Sequence, residues 1–149
     1  MGTNTDPYQP IEKSRRITRE LLEVLSECNH PVGITTKGIL IERDLDILED
    51  MAKRNLVHVA ISLPTLNGEL SRRLEPRAGA PRRRLRTIDK LSQAGVPVSL
   101  LMAPVIPVLT DGEIENVVRT AADRGAISAA YVLLRLPLEV RDLLSLIHI

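Results

Sequence analysis

The apolar positions of this chain fall into alternating blocks with two different periods. Between about Pro10 and Glu27 they recur at helical spacing, with Ile17, Leu21, Leu22 and Leu25 on one face. Pro10 sits in the first turn, where a missing N–H costs nothing. PVGITTK then predicts a short strand. RDLDILEDMAKR predicts a helix with Asp44 as N-cap and Leu45, Leu48 and Met51 or Ala52 turned inward. LVHVAISL, rich in β-branched residues, predicts the clearest strand of the chain. After a polar connection rich in proline and arginine, PRRRLRTIDKLSQAG predicts a helix with Leu85, Ile88 and Leu91 on one side and Gly95 as its stop.

The alternation continues to the end. VPVSLLMAPVI is an almost unbroken apolar run, the pattern of a strand covered on both faces. Thr110 and Glu113 have the spacing of a capping box ahead of Ile114, Val117, Val118 and Ala121. Gly125 ends that helix, and SAAYVLLRLP predicts a last strand. Helices and strands in strict alternation predict an α/β fold, a parallel sheet with helices outside.

Composition narrows the function classes. With 149 residues the chain is long enough for one domain, residues 1–149, with a core. Hydrophobic residues make up 44% and charged residues 26%, and the formal charge is +1, so no global field favours nucleic acid or a membrane surface. No apolar run approaches the roughly 20 residues that span a bilayer, and no signal-peptide pattern opens the chain. The single cysteine, Cys28, excludes an internal disulfide and fits a reducing cytoplasm. Tyr8 and Tyr131 are the only aromatic residues, too few for a base-stacking platform. The stretch from Arg72 to Arg86 holds seven arginines. It reads either as a solvated loop and outer helix face or as a patch that contacts phosphates.

In parallel α/β folds ligands bind at the carboxyl ends of the strands. Thr36 and Lys37 close the first predicted strand, Ser62 and Thr65 the second, Pro104 and Pro107 the third, Arg135 and Pro137 the fourth. Thr3 to Asp6 share that rim if a strand ends just before Gly2. Each has a plain alternative. Lys37 reads as a ligand-binding ammonium or a rim salt-bridge partner, Ser62 as a contact residue or a hydroxyl bonded to backbone. Arg135 is a candidate partner of Glu75. Cys28, Asn29 and His30 lie at the opposite end of the units and read as structural rather than as a metal pair. His58, within a strand, reads as a core or interface residue. No Ser-His-Asp arrangement and no phosphate-binding glycine loop is present.

Five segments together, GTNTDPYQPIE, TKGILIERDLDIL, VAISLPTL, RRLEPRAGAPRRRLRTIDKLSQAGVPVSLLMAPVIPVLTD and LLRLP, resemble the radical SAM superfamily, and within it the branch related to spore photoproduct lyase. The resemblance runs from Gly2 to about Val140. It implies a partial (β/α) barrel with parallel strands, incomplete at the N-terminus, S-adenosylmethionine and a [4Fe-4S] cluster as cofactors, and formation of a 5′-deoxyadenosyl radical. It also implies an electron donor such as a flavodoxin or ferredoxin, and a substrate that includes nucleic acid among its candidates. Carried over by position, Lys37 would bind the cofactor's carboxylate and Ser62 its ribose or amino-acid part. Thr3, Asn4 and Thr5 would lie where the superfamily contacts the methionine amino group, although its usual GGE motif is absent. Pro104 to Pro107 would lie near the adenine, while Asp6, Tyr8 and Arg135 would face the substrate or shape the mouth. The superfamily holds its cluster with CxxxCxxC after the first barrel strand, and that motif is missing here. The chain is therefore expected to be an internal or C-terminal portion of a longer protein, inactive in isolation. Its tail from about residue 141, ending SLIHI, reads as a truncated or artefactual end. Two other readings are a cofactor-free barrel lyase or aldolase with Lys37 as Schiff base, and a gene fragment without catalysis.

Overall fold

The computed structural model describes residues 1, 2 and 4–135, so the expectations for Thr3, Pro137, Val140 and the tail fall outside the described residues. Within them the α/β expectation holds. Four strands, β1 (Val32–Thr36), β2 (Val57–Ser62), β3 (Val98–Val105) and β4 (Ser128–Leu133), form one sheet in sequence order. All three neighbouring pairs are parallel. This is the arrangement of a partial β/α barrel.

The helices between the strands cover one face. Ile34, Val59, Ile61, Val98, Leu100 and Met102 point into that layer and are almost fully buried. They meet Leu22 of α2 (Ile17–Glu27), Leu48 and Met51 of α3 (Leu45–Lys53), Leu85, Ile88 and Leu91 of α5 (Pro81–Gln93), and Val117 and Ala121 of α6 (Ile114–Ala122). Each such side chain removed from water contributes about 1.5–3 kcal/mol before the entropy of ordering is subtracted. Gly95 and Gly125, past the ends of α5 and α6, have φ of +73° and +92°, the left-handed conformation that a helix stop needs.

Several expectations require correction. The first helix is two. A one-turn α1 (Glu12–Arg15) is separated from α2 by Arg16 at φ +56°, and the Glu12 carboxylate accepts the Thr18 N–H at 3.0 Å, serving the open end of α2. Ile17 and Leu21 are 60% and 44% exposed, so the buried face runs through Thr18 and Leu22 instead. Asp44 precedes α3 but does not cap it; its buried carboxylate is held by Arg19 and Arg43, and residues 39–44 form a 3₁₀ turn. The capping box is not made either. Thr110 Oγ1 accepts from Ile106 N at 2.8 Å, while Glu113 reaches across to Thr65 Oγ1 and Leu66 N, both at 2.9 Å. The connection after β2 also contains a helix that the pattern leaves out, α4 (Gly68–Leu74), capped by the Asn67 side chain on Glu69 N and Leu70 N.

Met1 pairs with the free edge of β1. Met1 donates its amino group to the Gly33 carbonyl and accepts from Thr35 N at 2.9 Å, the parallel pattern on the edge of β1 that β2 leaves open. Gly2 then crosses the strand at φ +95°, so close that a Cβ there would lie 2.0 Å from the Thr35 carbonyl oxygen. Only glycine fits that crossing.

Candidate functional site

The rim begins with Asp6. Its carboxylate accepts Tyr8 N at 2.8 Å, Thr36 Oγ1 at 2.6 Å and Lys37 N at 2.8 Å, fastening the segment after Gly2 across the carboxyl end of β1. Thr36 Oγ1 in turn accepts Gly38 N at 2.8 Å. Asn4 and Thr5 form an exposed bend between Gly2 and this clasp. Tyr8 is buried in the core rather than turned to a ligand. Its hydroxyl lies near Asp44 without forming a directed hydrogen bond, and burial first, the Asp44 charge second, push its pKa above that of an ordinary phenol.

Register brings Lys37 and Ser62 together. Thr36 pairs with Ile61, so the next residues on each strand, Lys37 and Ser62, leave the sheet at one level, with Leu101 of β3 opposite Ser62. Lys37 has a half-exposed side chain whose Nζ is 2.9 Å from Glu75 Oε1. Ser62 is buried, and the contact that secures it runs through its carbonyl, which accepts from Arg84 Nη1 at 2.8 Å. Arg84 also donates Nε to the Gly79 carbonyl at 2.7 Å and brings Nη2 within 2.6 Å of Glu75 Oε2. That last contact is an ion pair whose angle departs from a directed hydrogen bond. Glu75 therefore meets Lys37 and Arg84, and not Arg135 as the sequence suggested.

The remaining candidates sit elsewhere. His58 and Ser99 occupy the face of the sheet turned away from the helices, on the alternation that leads to Ser62. His58 Nε2 is 2.7 Å from Ser99 Oγ, which is 2.6 Å from Ser128 Oγ, so the histidine is a bonded member of a short ladder and not a core residue. Cys28 is exposed beyond α2, at the end of the sheet opposite Lys37. Among the described residues no group of three His, Cys, Asp or Glu side chains could hold a metal ion. A cluster held by three thiolates does not fit the residues of this chain, whose only cysteine is Cys28. Six of the seven arginines in the 72–86 run are exposed, as a solvated face requires, but Arg84 is buried. Sequence reasoning missed Arg84 as a member of the rim and gave Glu75 a different partner. The helical period did hold a signal, because Pro81, Arg84, Leu85 and Ile88 share one inward face.

Lys37, paired with Glu75, and the buried Ser62 thus share the carboxyl-end rim of the parallel strands, the end at which β/α barrels bind ligands. Residues 1–121 match the model of the radical SAM superfamily, and the chain belongs to that superfamily. It is 38% identical over 111 residues to an uncharacterized protein of Mycobacterium tuberculosis, covering 74% of this chain and 33% of that protein. An uncharacterized protein of Acidianus two-tailed virus is 30% identical over 107 residues, 72% of this chain and 34% of its own length. One from Methanocaldococcus jannaschii is 28% identical over 113 residues, 76% and 42% respectively. The chain thus spans about a third of the length of the first relatives it matches. S-adenosylmethionine binding and radical generation are the general function of that superfamily. No helix among the described residues is long and apolar enough to cross a membrane.

Proposed function

We propose that this chain supplies the part of a radical SAM barrel that grips the amino-acid end of S-adenosylmethionine. The observation that carries the reading is the side-by-side exit of Lys37 and Ser62 at the rim. The Lys37 ammonium would bind the cofactor's carboxylate through a charge-assisted contact, and Ser62 would hydrogen-bond the ribose or amino-acid part. Thr3, Asn4 and Thr5 would border the methionine amino group. The cofactor beside a [4Fe-4S] cluster would supply radical chemistry toward a substrate. The thiolates for that cluster would come from residues outside this chain, with electrons delivered by a flavodoxin- or ferredoxin-type donor in the cytoplasm.

The finer branch, related to spore photoproduct lyase, rests on the five sequence segments. The exposed Arg72, Arg73, Arg77, Arg82, Arg83 and Arg86, on α4, the following loop and the first turns of α5, favour a polyanionic substrate such as nucleic acid. A Schiff-base role for Lys37 is less favoured. A nucleophilic lysine needs its neutral amine, whereas Nζ here stands 2.9 Å from a carboxylate that suits the ammonium. Calorimetric titration of S-adenosylmethionine into the chain tests the main reading. Lys37→Ala is expected to weaken binding by about tenfold or more, the usual worth of one charged hydrogen bond. Trapping of a carbonyl compound on Lys37 by borohydride, with cofactor binding unaffected by the substitution, would replace it with the Schiff-base reading.

A further inference from the structure

Arg84 occupies a position where the period of α5 calls for an apolar side chain. It is 1% exposed, while Arg82, Arg83 and Arg86 around it lie in solvent. A cation taken out of water is costly unless each side of its fork finds a partner. The partners here are the Gly79 carbonyl, the Ser62 carbonyl and Glu75 Oε2. The other oxygen of Glu75 takes Lys37 Nζ at 2.9 Å. One buried guanidinium therefore ties the end of β2, through Ser62, to the ammonium at the end of β1.

The charges of this group add to one net positive. Lys37 and Glu75 alone would make a neutral pair, with little attraction for a carboxylate. Lys37 alone would keep its charge but swing on a flexible four-carbon stem. Arg84 resolves the conflict, because it neutralises Glu75 from behind while Glu75 still holds the ammonium in place. Within these three the excess charge falls on Lys37, whose side chain is 45% exposed at the rim and retains two N–H donors beyond the one given to Glu75, while the Asp6 carboxylate at the same rim is engaged by the Lys37 backbone N–H at 2.8 Å.

We propose that Glu75 and Arg84 are positioning residues that hold the Lys37 ammonium at the rim formed by the ends of β1 and β2 and preserve its charge for a ligand carboxylate. This deepens the reading given above and rests on it, since the carboxylate is that of S-adenosylmethionine.

Two measurements on the full chain test it. The first is nitrogen-15 relaxation of the Lys37 ammonium, which needs no ligand. Glu75→Gln is expected to loosen the ammonium markedly and Arg84→Lys to loosen it in part. The second is calorimetric binding of S-adenosylmethionine and of 5′-methylthioadenosine, which lacks the amino-acid end. Glu75→Gln should weaken the first by about tenfold, leave the second within about twofold, and have no further effect in a Lys37→Ala background. An ammonium equally ordered in wild type and Glu75→Gln would overturn the positioning role. Equal weakening of both ligands, or a full further loss on top of Lys37→Ala, would do the same by pointing to a general structural defect. If Lys37→Ala leaves the preference for S-adenosylmethionine over methylthioadenosine unchanged, the reading of Lys37 itself fails. The relaxation result identifies that case separately from a failure of the clasp.

Discussion

The rim at the ends of β1 and β2 and the edge formed by β4 belong to one parallel sheet, yet they are built in opposite ways. At the first, Asp6 collects three donors, Glu75 bridges Lys37 and Arg84, and Arg84 reaches back to Ser62. At the second, every residue of β4 is exposed, with Tyr131 at 66% and Leu133 at 54%, and the strand is held mainly by its ladder to β3. Hydrogen-bonded pairing is enough to align a strand. Fixing side chains for binding requires a buried polar group behind them that has no other place to go.

That contrast can be broken at its strong end first. Replacing Arg84 with Met removes one partner of a buried ion pair and leaves Glu75 short of a cation. Urea unfolding should show a loss of about 3–5 kcal/mol; a loss under about 1 kcal/mol would mean that the clasp contributes little to the fold. Asp6→Ala strands three donors at the mouth and should cost about 1–3 kcal/mol in the same measurement. A neutral outcome there would show water taking over the role of the carboxylate.

Acid should weaken the helix-covered half by a smaller amount. Burial alone would raise the Glu42 pKa, but hydrogen bonds from Lys90 and Thr87 and the nearby charges hold it below the usual value of 4.5. Arg19 likewise holds Asp46 below 3.8, although Asp46 is 63% exposed and its share is reduced by solvent screening. Depressed carboxylates stabilise the fold above their unfolded pKa, and that stability fades as pH falls through the folded one. The unfolding midpoint should therefore drop below about pH 4.5, and Glu42→Gln should flatten this acid limb. A limb unchanged by that substitution would assign the effect elsewhere. Least affected of all should be Leu133→Asn on the exposed strand, within about 0.5 kcal/mol of wild type. A loss like that of Asp6→Ala would show that β4 is covered in solution.

The same division explains what the sequence makes legible. Strands were readable because β-branched runs such as Val57–Ser62 have one outcome when a helix layer covers them, and their parallel order followed from the alternation. Lys37 and Ser62 were readable as strand-end residues. What they touch was not, because Glu75 and Arg84 reach them through a loop whose path no local pattern specifies. Glu113 shows the same limit. Its spacing from Thr110 suits a capping box, but the longer-range contact with Thr65 and Leu66 N prevails. The break at Arg16 was hidden because nothing in its neighbours' periodicity marks a left-handed residue, and the buried Glu12 that supports it is visible only in three dimensions.

The most direct test of the account is a crystal structure of the chain with S-adenosylmethionine. The expected result has the cofactor's carboxylate in hydrogen-bond contact with Lys37 Nζ, Ser62 beside its amino-acid or ribose part, and the Glu75–Arg84 pair intact behind them. A cofactor bound away from the ends of β1 and β2, or a carboxylate held by other groups while Lys37 faces only Glu75, would contradict it.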